Sequence, residues 1–279
     1  MRFSYVVAST LLLFSHYIFA SSDVHRIITL APHATELAYA AGLGDKIVGV
    51  SDRSDYPPEA QSKPKVANYK GINIEKILAL QPDLVISWPA GNPVKEVNKL
   101  KQMGVVMYDS RTQTLDDIAT NIEELSQYAD DPAIGKRNAQ DFRNQLDALR
   151  KNYQDARKVS YFYQLSEKPI ITMGQGSWPS EVFTFCGGVN VFADSPSPYP
   201  QVGLEQVVIA QPEVIFNSRH AVKDSSMWQS WTQIPAVKNH YIWTLNSDWI
   251  NRPTPRTIEA IKEVCRYFDQ VRKRTNSQP

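Results

Sequence analysis

Short runs of β-branched and aromatic residues recur along the chain, separated by stretches whose apolar positions fall three or four apart. RIITLAP (26–32), KIVGVS (46–51), DLVISW (83–88) and VVMYDS (105–110) predict buried strands. VSYFYQL (159–165), PIITMG (169–174), EVIFNS (213–218) and YIWTLN (241–246) resume the series further on. Strands alternating with helices predict an α/β fold. In the first interval, Thr35 is placed to cap a helix over the residues that follow, and Gly42 to stop it.

Between the two series lies DPAIGKRNAQDFRNQLDALRKNYQDARK, residues 131–158. Asp131 can cap a helix, Pro132 suits its first turn, and Phe142, Leu146, Leu149 and Tyr153 fall on one helical face. About 26 residues at 1.5 Å each make a rod of about 39 Å. The pattern predicts two α/β lobes, 21–127 and 159–279, joined by a single long helix within 128–158. The same residues also fit an ordinary surface helix inside one domain.

A repeat favours the two-lobe arrangement. IEKILALQPDLVIS (74–87) nearly returns as LEQVVIAQPEVIFN (204–217), with Glu75 and Glu205 in equivalent places. In each copy an apolar helix meets Gln-Pro, where the proline disfavours continued helix, and a buried strand follows. A weaker echo links TELAYAAGLGDKIVG (35–49) with SEVFTFCGGVNVFAD (180–194). Generic helix-to-strand units would look alike, but two echoes in the same order around a central helix point to related lobes. Such lobes leave a cleft where loops at strand ends converge, and a single stiff connector allows only modest rocking.

Residues 1–20 read as a secretory signal: Arg2, then an apolar run from Val6 to Phe14, then a small residue at Ala20. A short uncleaved anchor is the other reading. Cys186 and Cys265 are the only cysteines; in an exported chain they most simply pair, the alternative being two separately buried thiols. Pairing closes a loop of about 80 residues, for which chain entropy gives at most about 4–5 kcal/mol. A net charge of +1 provides no bulk field for nucleic acid or anionic membrane. Gly176-Ser177-Trp178 lacks the second glycine of a nucleophile elbow, so an enzyme is not expected. His25, His33, His220 and His240 are scattered without i, i+4 pairing, so no metal site is expected, although His33 lies where a strand gives way to a helix and could face the cleft.

TLAPHATELAYAAG, SDYPPEA (54–60), GINIEKILALQPDLVISW (71–88), CGGVNVF (186–192), YPQVGLEQV (199–207) and LNSDWINRPTPR (245–256) together resemble the periplasmic vitamin B12 (cobalamin) binding proteins of ABC importers. The resemblance spans almost all of the chain after residue 20. It implies a helical-backbone periplasmic binding protein, located in the periplasm and acting as a monomer. Cobalamin would be held between the lobes as transported ligand rather than cofactor, then delivered to a dimeric inner-membrane permease. It implies ligand contacts from Tyr69, Trp88, Tyr199, Asp248, Trp249, Ile250, Asn251 and Arg252, permease contacts from Glu75 and Glu205, and a Cys186–Cys265 disulfide. Arg53 departs from the pattern, standing where that family has a tyrosine on the cleft wall. A siderophore or haem binder of the same fold is the alternative, because Arg53, Arg252 and Arg256 could meet an anion.

Overall fold

The computed structural model describes residues 24–174, 176–219, 222 and 226–275; the proposed signal, residues 1–20, and His220 lie outside them. The N-terminal lobe carries strands β1 (Ile27–Thr29), β2 (Ile47–Ser51), β3 (Lys65–Asn68), β4 (Gly71–Ile72), β5 (Leu84–Ser87) and β6 (Met107–Asp109). They form one sheet in the order β4-β3-β2-β1-β5-β6, parallel except for the β3–β4 hairpin. Its helices are α1 (Pro32–Ala40), α2 (Ile74–Ala79), α3 (Val94–Gln102) and α4 (Leu115–Ser126). Helix α5 (Pro132–Tyr153) then leads to the second lobe.

The C-terminal lobe contains β7 (Val159–Gln164), the small hairpin β8 (Ser166–Glu167) and β9 (Ile170–Ile171), β10 (Gly188–Asn190), β11 (Val214–Ser218) and β12 (Ile242–Leu245). The parallel sheet runs β10-β7-β11-β12. Helices α6 (Ser180–Phe185), α7 (Leu204–Ala210), α8 (Pro235–Lys238), α9 (Ser247–Ile250) and α10 (Thr257–Thr275) complete it.

Each apolar run contains a strand, but three details differ. Helix α1 begins at Pro32 rather than after Thr35, because proline is preorganised for the first helical turn. Thr35 is therefore interior, and its buried hydroxyl turns back to Ala31 O at 3.2 Å and meets Thr29 Oγ1 at 2.6 Å and Ser54 Oγ at 2.9 Å. Only Ile170–Ile171 of the 169–174 run pairs as a strand, within the β8–β9 hairpin. Helix α5 stops at Tyr153, so its 22 residues span about 33 Å. Its start is as expected, with the Asp131 side chain accepting from Ala133 N at 3.0 Å and Pro132 in the first turn.

The repeat extends to three dimensions. In each lobe the four core strands, taken in chain order, lie in the spatial order second, first, third, fourth: β2-β1-β5-β6 and β10-β7-β11-β12. Helices α2 and α7 share the same sequence of exposed and buried positions from residues 74 to 80 and 204 to 210. Both runs end on a glutamine with left-handed backbone, Gln81 (φ 45°) and Gln211 (φ 48°), ahead of the proline. That conformation is strained for a residue with a Cβ, so its presence in both lobes is a shared solution to one sharp turn. Helices α1 and α6 likewise stop near a left-handed glycine, Gly42 (φ 87°) and Gly187 (φ 80°).

Side chains alternate across both sheets. Ile27, Leu84 and Ile86 of the first sheet, and Tyr161, Tyr163, Val214 and Phe216 of the second, enter one continuous apolar core that also holds Ala139, Phe142 and Leu146 of α5. The opposite faces form separate clusters, around Ile28 and Val85 in one lobe and around Phe162 and Ile215 in the other. Thus α5 is cemented into both lobes along a single buried stripe. The Cys186–Cys265 disulfide is formed, joining α6 to α10 across 79 positions of sequence.

Two close contacts hold the junction. Gly135 lets α5 approach α4 and the end of α1: a Cβ there would lie 2.5 Å from Ser126 Cβ and 3.1 Å from Ala41 Cα. From α1, the buried Glu36 carboxylate accepts from Arg256 at 2.8 Å (Nε) and 2.5 Å (Nη2) and from Arg252 at 3.3 Å. Arg252 also donates to Asp55 at 2.5 Å and 3.3 Å, and this bond holds the Asp55 carboxyl below its ordinary range. Four charged groups thereby cross from lobe to lobe. Gly135→Ala should lower stability by about 1–3 kcal/mol through overpacking, read as a lower urea midpoint. Glu36→Gln, which leaves two arginines facing a neutral partner, should cost about 3 kcal/mol in the same measurement.

A candidate ligand cleft between the lobes

A cavity of about 640 Å³ opens between the two sheets and is lined by residues from both lobes. It lies beyond the carboxyl ends of the parallel strands, where open α/β sheets place their ligands. On the N-terminal side, His33 follows β1, Arg53 follows β2, Trp88 follows β5 and Thr112 follows β6. On the other side, Leu165 follows β7, Tyr199 lies after β10, and Asp248, Asn251 and Arg252 come after β12. Loops and first helical turns at strand ends thus supply both walls, and the strands fix where each begins.

Trp88 is the aromatic surface of the N-terminal wall, 38% exposed. Asn92 anchors it: Oδ1 accepts from Trp88 N at 2.6 Å while Nδ2 donates to Leu30 O at 2.9 Å, tying the loop back to β1. The ring folds over Gly91, where any Cβ would fall 2.0 Å from a ring carbon. The His33 imidazole meets Trp88 edge-on, with centroids 5.3 Å apart and planes at 85°. Burial, aided by the charge of Arg252, lowers the His33 pKa to about 4, so the ring is neutral at neutral pH. Among the described residues neither its Nε2 nor Thr112 Oγ1 has a hydrogen-bond partner. An unmet buried polar group costs about 1–3 kcal/mol.

The loop bearing Arg53 and Asp55 is pinned to α1 by the buried hydroxyls of Ser51, Ser54 and Thr35, with Ser51 and Ser54 3.0 Å apart. Arg53 itself has left-handed backbone (φ 60°) on the cavity wall, a conformation that favours glycine and that loops retain at functional sites.

Across the cleft, Tyr199 is 51% exposed and donates its hydroxyl to Trp178 O at 3.3 Å. Its segment is held in extended pairing, Thr172 N to Pro200 O at 3.1 Å and Gly174 N to Pro198 O at 2.9 Å. Trp178 also lines the cavity, with its indole N–H donated to Ile250 O at 2.9 Å. Asn251 is set by Tyr163, whose hydroxyl donates to Oδ1 at 2.9 Å, and Asp248 contacts Arg252 at 3.1 Å.

Helix phase sorts the 247–252 stretch. Residues three and four apart share a helical face, so Asp248, Asn251 and Arg252 reach the cleft together. Trp249 and Ile250 point elsewhere: Trp249 packs half-buried against the shared core and Ile250 is fully buried within it. Neither is among the residues lining the cavity, contrary to the expectation for that loop. Tyr69 is not there either; it sits 93% exposed at the β3–β4 turn, with Lys70 Nζ 5.7 Å from its ring centre. Conversely, Trp178 and Thr112 line the cleft without having been singled out. The Gly- and Pro-flanked GSWPS stretch was the available sign for Trp178; nothing in the local sequence marks Thr112. Glu75 and Glu205 are exposed in the first turns of α2 and α7. Among the described residues no cluster of His, Cys, Asp or Glu could hold a metal ion, and no helix is long and apolar enough to cross a membrane.

Residues 27–249 match the periplasmic binding protein family. The vitamin B12-binding protein of Vibrio parahaemolyticus is 61% identical over 264 residues, which are 94% of this chain and 96% of that protein. The crystal structure of the periplasmic vitamin B12 binding protein BtuF of Vibrio cholerae is 58% identical, with a TM-score of 0.87 over 90% of this chain and 99% of its own. A periplasmic haem-binding protein, RhuT of a Roseiflexus species, shares the fold at 23% identity, with a TM-score of 0.78 over 89% of this chain and 99% of its own. With a family match across most of its length and a close relative aligned almost end to end, this chain belongs to the periplasmic binding protein family.

Proposed function

We propose that the chain captures cobalamin in the inter-lobe cleft and delivers it to an ABC importer, working in the periplasm as a monomer. The observation that carries this reading is the composition of the cleft. Trp88 on one wall faces a second wall bearing Trp178 and Tyr199, and the polar lining around them is largely neutral or internally paired. Cobalamin is a broad, flat, amide-fringed and nearly uncharged guest, suited to aromatic surface and hydrogen bonds rather than to a block of charge. Close similarity to proteins that bind vitamin B12 supports the same assignment. Arg252 is committed to Glu36, Asp55 and Asp248, which leaves it a poor anchor for an anionic haem or siderophore.

Residues 21–127 and 159–279 act as the two jaws and the 128–158 segment as their connector. Arg53, Trp88, Tyr199, Asp248, Asn251 and Arg252 form the contact set, with Tyr69 at its outer margin; Trp249 and Ile250 support that set from behind. Glu75 and Glu205 occupy matched first turns, where the helix dipole favours a carboxylate. Equivalent acids on related lobes suit a two-fold permease bearing a basic pocket on each subunit.

Calorimetric titration of the chain from residue 21 with cyanocobalamin should give one site per molecule. Trp88→Ala should weaken it at least about tenfold, the scale of one lost aromatic contact. A chain that ignores cyanocobalamin yet takes up haem or a ferric siderophore would refute the assignment. Joint replacement Glu75→Ala and Glu205→Ala should leave affinity unchanged while abolishing uptake in cells that depend on this importer; loss of affinity instead would remove the docking role.

A further inference from the structure

We infer that His33 and Thr112 are the residues by which the N-terminal wall recognises carboxamide groups on the rim of the ligand, and so distinguishes an amide-edged macrocycle from a carboxylate-edged one. This rests on the cobalamin reading and adds to it a determinant of selectivity.

The placement comes from the sheet. Strand β5 lies between β1 and β6. Trp88 leaves the end of β5, His33 the end of β1 and Thr112 the far side of β6, so a polar group flanks the aromatic surface on each side. A flat ring lying against Trp88 directs its substituents outward, toward those flanks. Both flanking groups are prepared for a partner they lack: His33 is 4% exposed, and its Nε2 and Thr112 Oγ1 are buried without a hydrogen bond among the described residues. Buried polar atoms are nearly always paired, so such atoms on residues that line a cavity point to a partner brought from outside.

The partner's chemistry follows from the donors and acceptors. A neutral imidazole offers one N–H and one lone pair, and a hydroxyl offers both functions. Burial and Arg252 keep His33 neutral. A primary carboxamide both donates and accepts, so it satisfies either face of the imidazole as well as the threonine. A carboxylate only accepts, so it can meet the imidazole N–H but leaves the imidazole lone pair unmet. The edge contact with Trp88 holds the imidazole in place, so recognition of the flat face and of the rim are set together.

The test uses cyanocobalamin and its monocarboxylic acids, in each of which one side-chain amide has been hydrolysed. Affinities are measured by calorimetry for the wild-type chain, His33→Phe, Thr112→Val and His33→Gln, with urea midpoints checked for each. His33→Phe and Thr112→Val should each weaken cyanocobalamin about three- to tenfold, the scale of one neutral hydrogen bond. His33→Gln, which restores a donor and an acceptor, should recover most of that loss. At least one monoacid should bind the wild type about tenfold less well than cyanocobalamin and should lose that disadvantage in His33→Phe or Thr112→Val. Wild-type affinity for cyanocobalamin in both variants, or an equal loss for every monoacid, overturns the assignment while leaving the cobalamin reading intact. A wild-type chain that binds no corrinoid overturns both. Because the two substitutions are at separate positions and Thr112→Val preserves side-chain shape, loss of folding in one variant leaves the other to decide.

Discussion

One apolar core passing through both lobes by way of α5 is the constraint on which the rest depends. Phe142 and Leu146 are buried in that core, where α5 packs on α1 and α4 of one lobe and on α10 of the other, so the connector cannot bend without opening it. Burying a single large side chain is worth about 1.5–3 kcal/mol, so a hinge motion that uncovered both would cost a large part of the about 5–15 kcal/mol that stabilises an ordinary domain. The cleft is therefore a nearly preformed gap whose width is set by packing behind it. The ion pairs of Glu36 and Asp55 with Arg252 and Arg256 act in the same direction from nearer the mouth.

Within that frame, two periodicities decide which side chains a guest can meet. Strand alternation sends neighbouring residues to opposite faces, so the sheets spend their side chains on core and outer cluster and leave the cleft to the loops. Helical phase then divides the short α9 segment: Asp248 and Asn251 face the gap while Trp249 and Ile250 secure the segment against the interior. A conspicuous tryptophan in a polar loop here packs against the core, and its less conspicuous neighbours line the cleft.

The difference explains what could be read without coordinates. Strands, the long helix and the duplicated halves are written in local patterns of apolar residues, and the paired Gln-Pro breaks locate corresponding turns in both lobes. The disulfide followed from having two cysteines in a chain taken to be exported. Thr35 misled because a hydroxyl that suits a cap can equally bond back within a helix, and Pro32 offered an earlier start. His33 was legible as a residue that could face the cleft and Thr112 was not marked at all; that His33 Nε2 and Thr112 Oγ1 lack hydrogen-bond partners among the described residues is a property of three-dimensional surroundings. Tyr69 lies on a two-residue hairpin turn whose edge position depends on sheet order, which no local pattern reveals.

The disulfide has a topological consequence. Residues 186 to 265 form a closed covalent ring, and Tyr199, Glu205, Asp248, Asn251 and Arg252 are all threaded on it. Most of what the second jaw would present to guest or carrier thus belongs to one macrocycle, whose closure limits how far these residues can separate even when the noncovalent structure is lost. A thiol-rich compartment would dissolve that ring, so the oxidising state of the surroundings becomes part of how this half of the molecule retains its wall of the cleft.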